Sequence, residues 1–200
     1  MAGTSAVGET DHTRALRCMT LAIAYEAGYE PVAGQEAVAE VILNRTRQPA
    51  YPPSVCGVVF QGAARRTGCQ FTFTCDGSLN RHLPAQVVAN AQAVAERAID
   101  GRLSSRVIGA THYHANYVSP YWAPSLVRVG RIGAHIFYRA PGAQDVSARY
   151  AGGPEPRPDQ LRGWLTAPDA LTARGASTPA PAPAPSQSAV FAPWGLSPNQ

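Results

Sequence analysis

Glu26 is the residue whose position in this sequence best suits acid–base chemistry. A helix over about residues 13–27 is predicted, because Leu16, Met19 and Ile23 recur at spacings of three and four residues. Glu26 lies at the edge of this apolar stripe, near the predicted end of the helix. Partial burial at such a position raises the pKa of a carboxyl group towards the values of general acids. The alternative is an ordinary solvated glutamate at a helix end.

Two histidines in the sequence ATHYHANYVSPYW offer a rival chemistry. His112 and His114 would share one face of a strand, which suits metal binding. A third ligand would have to come from His135, His82, Asp76 or a cysteine, and the spacing in the sequence favours none of these. No metal and no cofactor are therefore predicted. The sequence also lacks GxSxG, HExxH, Walker A and GxGxxG motifs, so serine-hydrolase, zincin and nucleotide chemistry have no support.

The remaining polar and aromatic residues suit the cleavage of glycosidic bonds. In that chemistry a carboxylic acid with a raised pKa protonates the leaving oxygen, while polar and aromatic groups hold the sugar rings. A second carboxylate usually faces the first across the bond. Glu30 and Asp76 are the candidates for this second group.

Two further helices are predicted to pack beside the first. One covers about residues 33–46, with its apolar residues inward and with Glu36 and Glu40 nearer to solvent. The other covers residues 83–101, starts with Pro84 in its first turn and ends at a glycine. Both helices are expected to supply the core.

The C-terminal part of the folded region is predicted to be a small antiparallel sheet. From Val107 onward the period of the pattern changes from helical to two, and residues 126–129 and 135–138 form a hairpin around the sequence GRIGA. The alternation places His112, His114 and Asn116 on one face of the preceding strand, and Tyr113 and Tyr117 on the other.

Length and composition indicate one globular domain with extensions. The chain has 200 residues, of which 45% are hydrophobic. We expect a flexible segment at 1–11, a catalytic domain at 12–140 and a disordered low-complexity tail, rich in Pro and Ala, at 141–200. The net charge is +4, but no basic run with interleaved aromatic residues occurs, which argues against nucleic-acid recognition. The sequence does not indicate an oligomeric state.

Four cysteines, Cys18, Cys56, Cys69 and Cys75, permit two disulfides in an oxidising compartment. Cys69 and Cys75 could close a small loop and leave Cys18 with Cys56, although the sequence leaves all three pairings open. Zinc is disfavoured because no CxxC pair occurs. No signal peptide and no apolar run of roughly 18 residues is present, so no transmembrane segment is expected and the export route is not visible.

Three separated motifs resemble the SleB-type family of cell wall hydrolases, which is typified by a spore cortex-lytic enzyme. They are YEAGYEPVAGQEAVAEVILNR, then CGVVFQG with GCQFTFTCDG, and finally ATHYHANYVSPYWAPSLVRVGRIGAHIFYR. The likeness covers about residues 14–139. The pattern of Cys56, Cys69 and Cys75 resembles the Gram-negative branch of the family, which implies an exported protein that works in the periplasm or outside the cell.

The resemblance implies a compact α+β domain of helices with a small antiparallel sheet, related in design to lysozyme-like lytic transglycosylases. It implies cleavage of the peptidoglycan glycan strand between N-acetylmuramic acid and N-acetylglucosamine. Glu26 matches the catalytic glutamate of the family, which protonates the glycosidic oxygen and then takes a proton from the C6 hydroxyl as a 1,6-anhydro ring closes. The residues that match motifs expected around the glycan are Glu30, Gln70, Phe71, Thr111, His112, Tyr113, His114, Asn116, Tyr117, Tyr121 and Trp122.

The sequence departs from the family at one place beside Glu26. The family usually reads EARGEP, whereas residues 26–31 read EAGYEP, so the usual Arg and Gly are missing. Because of this departure and the long tail, a non-catalytic peptidoglycan-binding or assembly protein stays a competing hypothesis. Two further hypotheses are hydrolytic muramidase or glucosaminidase action, and a metal-dependent amidase that uses His112 and His114.

Overall fold

The structure is a computed structural model that describes residues 9–65, 68–143 and 149–161. Four α-helices come first among the described residues: α1 (Asp11–Ala27), α2 (Val32–Thr46), α3 (Val55–Val59) and α4 (Ala85–Ile99). Three strands follow: β1 (His112–Ala115), β2 (Val127–Ile132) and β3 (His135–Arg139). The predicted α+β fold, with helices packed beside a small antiparallel sheet, is confirmed.

Helix α1 is the centre of the domain. It packs against α2, α3 and α4, and for this reason it is buried on several sides. Cys18, Met19, Leu21 and Ile23 are fully buried along it. The Thr10 side chain accepts a hydrogen bond from the Thr13 backbone N–H and caps its N-terminus. Glu26 is therefore carried in the last turn of the most firmly held helix.

The three strands form an antiparallel sheet in the order β1-β3-β2. In the register of β1 and β3, Tyr113 lies opposite Phe137 and His114 lies opposite Ile136. The pairing of β2 with β3 contains an irregularity between Arg128 and Gly130. The predicted hairpin is confirmed, and its first strand continues to Ile132.

The expectation that Glu36 and Glu40 lie near solvent is wrong, because both side chains are buried. The Glu40 carboxylate accepts hydrogen bonds from the backbone N–H groups of Arg106 at 2.7 Å and Val107 at 2.9 Å. Glu36 pairs with the side chains of Arg97 and Arg106. Helix α2 therefore holds the loop before β1 through these two carboxylates. The helical pattern of the sequence does not reveal that this loop needs hydrogen-bond acceptors.

Of the three pairings that the sequence leaves open, the structure contains Cys18 with Cys56 and Cys69 with Cys75. Cys18 is bonded to Cys56 and joins α1 to α3, whereas Cys69 is bonded to Cys75 and closes a short loop. No helix in the described residues is both long enough and apolar enough to span a membrane.

Part of the predicted tail packs on the domain. Glu155 is 4% exposed, and its carboxylate accepts hydrogen bonds from the backbone N–H groups of Val55 at 2.9 Å and Cys56 at 2.8 Å. Its own N–H donates to the Asp11 carboxylate at 2.9 Å. The folded region thus extends past residue 140. The predicted flexible segment before residue 9 and the predicted tail after residue 161 lie outside the described residues.

Candidate active site

Glu26 meets the sheet through one hydrogen bond. The Tyr113 hydroxyl donates to Oε2 of Glu26 at 2.9 Å. Tyr113 points towards α1 because alternate side chains of β1 take opposite faces, and its ring packs against those of His135 and Phe137. The Glu26 side chain is only partly buried. The carboxyl group is thus oriented by the fold in a residue that is not fully buried.

The surroundings of Glu26 favour its protonated form. Burial is the largest cause and raises the pKa of this carboxyl group to about 7. The hydrogen bond from Tyr113 and the positive charge of Arg45 lower the pKa, whereas the negative charge of Asp76 raises it. A carboxylic acid with a pKa near 7 can give and take a proton at neutral pH, which is the requirement for a general acid and base.

A buried arginine lies near this carboxyl group. Arg45 is 1% exposed, and its Nε donates to the Thr111 carbonyl at 2.8 Å. The Gln70 amide is oriented so that both its oxygen and its nitrogen can form hydrogen bonds. In this orientation its oxygen lies 2.9 Å from Nη1 and 3.1 Å from Nη2 of Arg45. The guanidinium also lies 5.4 Å from the ring centre of Phe71. Gln70 and Phe71, both predicted around the glycan, are thus buried against Arg45.

The opposite face of β1 carries an aromatic cluster. The Trp122 ring lies 5.4 Å from that of His112 and 5.7 Å from that of His114. Nδ1 of His114 donates to the Ala115 carbonyl, so its Nε2 accepts from the Tyr138 hydroxyl at 2.9 Å. The shared face predicted for the two histidines is confirmed.

His112 is a neutral histidine in this cluster. Burial and, to a smaller extent, the charge of Arg45 lower the pKa of its imidazole to about 4. Its Nδ1 lies 2.9 Å from the Thr111 hydroxyl. The hydrogen bond to Glu26 therefore comes from Tyr113 and not from His112. Within the described ranges, no group of three or more His, Cys, Asp or Glu side chains is arranged to hold a metal ion.

The second glutamate of the motif holds the hairpin. The Glu30 carboxylate accepts from the Ala134 N–H, at 3.1 Å to Oε1 and 3.3 Å to Oε2, in the turn between β2 and β3. Gly133 in this turn has a φ of 58°, and a Cβ there would lie 1.8 Å from Oε2 of Glu30. The turn after α1 is thereby fastened to the sheet, which fixes Tyr113 relative to Glu26.

The departure from the family motif has a packing reason. Gly28 adopts right-handed helical angles, φ −59° and ψ −24°. A Cβ at this position would lie 2.3 Å from the Ala24 carbonyl oxygen and 2.6 Å from a methyl carbon of Val87. Gly28 thus lets α4 approach the end of α1, while the next side chain, Tyr29, is 62% exposed. The helical turn that carries Glu26 is preserved.

The predicted site residues after β1 lie at the surface, with one exception. Asn116, Tyr117 and Tyr121 are exposed, whereas Trp122 is buried among the aromatic rings. Of the predicted site residues, the structure brings only Tyr113 into hydrogen-bonding contact with Glu26.

The sequence indicates a supporting role for Asn44 and Arg45 at the end of α2, but it does not reveal that they support the segment before β1. Asn44 donates to the Ala110 carbonyl at 2.8 Å, beside the bond from Arg45 to Thr111. Both residues hold the backbone that leads into β1 and therefore position Tyr113. The signal in the sequence was two large polar side chains directly after the apolar run VIL.

Comparison with known proteins finds a matching family model and related proteins. A family model described as Cell Wall Hydrolase matches residues 29–138. The spore cortex-lytic enzyme of Halalkalibacterium halodurans is 35% identical over 125 residues, which are 61% of this chain and 34% of that protein. That of Bacillus subtilis is 33% identical over 122 residues, 61% of this chain and 36% of that protein. The chain thus spans about a third of the length of these relatives.

A solved structure is similar over the whole of its own length. It is the catalytic domain of the germination-specific lytic transglycosylase SleB from Bacillus anthracis, with a TM-score of 0.50 and 28% sequence identity. The match covers 68% of this chain and 100% of that chain. The chain belongs to the cell wall hydrolase family.

Proposed function

We propose that this domain cleaves the glycan strand of peptidoglycan between N-acetylmuramic acid and N-acetylglucosamine, with Glu26 as a general acid and base. The observation that carries the proposal is the Glu26 carboxyl group, whose pKa is raised to about 7 and whose orientation Tyr113 sets. The relatives support it, since they are described as spore cortex-lytic enzymes and as a lytic transglycosylase.

The reaction uses one carboxyl group twice. Protonated Glu26 donates its proton to the glycosidic oxygen, and the bond from that oxygen to the anomeric carbon of the muramic acid breaks. The Glu26 carboxylate then removes the proton of the C6 hydroxyl group of the same sugar, whose oxygen bonds to the anomeric carbon. The products are a 1,6-anhydro sugar and a free hydroxyl end. Glu26 finishes protonated, as it began.

The surrounding residues assist in two ways. The Tyr113 hydroxyl stabilises the carboxylate form between the two proton transfers, because it donates a hydrogen bond to Oε2. Among the exposed residues, Asn116, Tyr117 and Tyr121 hold the sugars, since aromatic rings and amides suit this contact. The other residues proposed to bind the substrate, or to support the residues that do, are Glu30, Gln70, Phe71, Thr111, His112, His114 and Trp122. The substrate and the disulfides favour a location in the periplasm or outside the cell.

Digestion of purified peptidoglycan tests the proposal. The chain is incubated with sacculi, and the soluble products are identified by mass spectrometry. Lytic transglycosylation releases muropeptides that end in anhydromuramic acid and are lighter by one water than the products of hydrolysis. Hydrated ends would indicate a muramidase or glucosaminidase, and free stem peptides would indicate an amidase. Saturable binding to sacculi with no soluble fragments would replace the proposal with a wall-binding role.

The pKa of Glu26 sets the direction of the pH dependence. The first step needs the protonated acid, and this form is lost as the pH rises through about 7. The initial rate is therefore expected to fall over that range. If the acid were an ordinary carboxyl group, the fall would occur at a distinctly lower pH.

Tyr113→Phe is expected to move this fall to higher pH. The variant loses the hydrogen bond that lowers the pKa of Glu26, so the carboxyl group stays protonated further into the alkaline range. The rate at neutral pH falls several-fold, because the carboxylate form is less stabilised, and the fold loses about 1 kcal/mol. The measurement is the initial rate of fragment release as a function of pH.

Tyr138→Phe is the matched control for this prediction. Its hydroxyl binds His114 on the other face of the sheet, so its removal has a similar structural cost. The control keeps the pH profile of the wild type. An unchanged profile in the Tyr113 variant would contradict the assigned contact.

A further inference from the structure

Among the described residues, one other carboxylate acts on Glu26 through its charge. Asp76 raises the pKa of the Glu26 carboxyl group, and it is the only acidic side chain among the causes of that shift. It acts in the same direction on the hydroxyl group of Tyr25, the residue directly before Glu26. Asp76 thus lies close enough to the end of α1 for its charge to reach both groups.

Independent contacts fasten the segment that carries Asp76 to the last turn of α1. The ring of Tyr25 stacks on that of Phe73, with 5.0 Å between ring centres and 9° between planes. The Tyr25 hydroxyl donates to the Arg81 carbonyl at 2.9 Å. One contact precedes Asp76 in the chain and the other follows it. Contacts on both sides of Asp76 in the chain therefore hold its segment against the last turn of α1, which carries Glu26.

Asp76 also has the freedom to meet a ligand. Its side chain is exposed, and its Oδ1 accepts a hydrogen bond from the Ser78 N–H at 2.7 Å across the turn at Gly77. In the described part of the chain, no hydrogen bond to its other oxygen is found. The second motif carboxylate differs, because both oxygens of Glu30 contact the Ala134 N–H. Of the two candidates for a second carboxylate, Asp76 is the one that is open to solvent.

We propose that Asp76 is a second functional carboxylate of the site, whose negative charge stabilises the sugar as the glycosidic bond breaks. The inference rests on the proposed function. When Glu26 gives its proton to the leaving oxygen, positive charge develops on the anomeric carbon and ring oxygen. A fixed negative charge near the last turn of α1 lowers the energy of that state. Asp76 forms no bond to the sugar and exchanges no proton, so the C6 hydroxyl group remains the nucleophile.

Asp76→Asn tests this inference with the whole chain and purified sacculi. Asparagine keeps the oxygen that accepts from Ser78, so the turn is retained. We expect kcat to fall about tenfold with little change in KM, because the lost charge acts on the transition state. The fall in rate with rising pH is expected to move to lower pH, since Arg45 and Tyr113 still lower the pKa of Glu26 while Asp76 no longer raises it.

Two further variants separate charge from structure. Asp76→Glu retains the negative charge and is expected to restore most of the rate and the original pH profile. Asp159→Asn removes the same charge from an exposed residue in the C-terminal part of the described chain. It is expected to leave the rate and the pH profile unchanged. A purely structural role of Asp76 would lower the melting temperature without moving the pH profile, and that outcome would overturn the inference.

The failure of this inference is distinguishable from failure of the proposed function. If wild-type protein releases fragments and Asp76→Asn matches it in rate and pH profile, only the role of Asp76 is refuted. If wild-type protein releases no soluble fragments, the proposed cleavage is refuted and the role of Asp76 with it.

Discussion

Glu26→Gln is expected to lower the release of soluble glycan fragments by about a thousandfold or more, because an amide cannot donate the proton that the leaving oxygen needs. The fold is retained. Glutamine has almost the same shape as glutamate, and its carbonyl oxygen still accepts the hydrogen bond from Tyr113. Fragment release is measured by mass spectrometry, and folding by circular dichroism and thermal unfolding.

The stability of this variant has an expected sign. Burial raises the pKa of Glu26 from 4.5 to about 7, so the native state holds its proton more tightly than the unfolded chain does. The wild type therefore loses stability as the pH rises from the unfolded to the folded pKa. Glutamine carries no charge and removes that loss, so Glu26→Gln is expected to be at least as stable as the wild type above pH 7.

Glu96→Gln provides the control for both measurements. Glu96 is exposed on α4, and its carboxylate accepts a hydrogen bond from the Gln92 side chain. This variant is expected to keep wild-type activity and stability. Activity of Glu26→Gln close to that of the wild type would assign the acid to another residue.

Elements with a local signature could be predicted from the sequence. The period of apolar residues predicted α1, α2 and α4 to within about two residues, and the alternation around GRIGA predicted the hairpin. The separation of six residues between Cys69 and Cys75 made their disulfide one of the possible pairings, and the structure contains it. Each of these signals depends on residues that are near one another in the chain.

The missed features depend on contacts between distant segments. Glu40 is buried because its carboxylate binds a loop 66 and 67 residues later in the chain. Arg45 reaches Thr111 in the same way, across 66 residues. Polar residues at such positions look like the solvent face of a helix until the partner segment is known. The motifs predict Glu26 as the acid, and this stays a prediction. The contact of Glu30 with the hairpin became known only from the structure.

Removal of the Cys18–Cys56 disulfide is expected to cause the largest loss of stability. The two residues are 38 positions apart, and a cross-link over a loop of this length restricts the unfolded chain by about 4 kcal/mol in the chain-entropy model. The test is Cys18→Ala with Cys56→Ala, measured by denaturant unfolding under oxidising conditions. The expectation would be contradicted if removal of the Cys18–Cys56 disulfide lowered stability less than removal of the Cys69–Cys75 disulfide.

The pair Cys69→Ala with Cys75→Ala is the matched comparison. Its loop spans only six positions, for which the same model gives about 2 kcal/mol, so the smaller loss of stability is expected here. For activity the expected order is reversed, and the variant without the Cys69–Cys75 disulfide loses more. This disulfide ends directly before Asp76 and begins directly before Gln70, which holds Arg45 beneath Glu26. Loosening it disturbs the electrostatics of the acid, whereas Cys18 and Cys56 lie in the core where α1 meets α3.

The two double variants therefore separate global stability from the organisation of the site. At a temperature where both are folded, the Cys18 and Cys56 variant is expected to retain most of its rate, and the Cys69 and Cys75 variant is expected to lose several-fold with an altered pH profile. Equal losses of rate in the two variants would contradict this division. That result would mean that the loop before Asp76 affects Glu26 only through the stability of the whole domain.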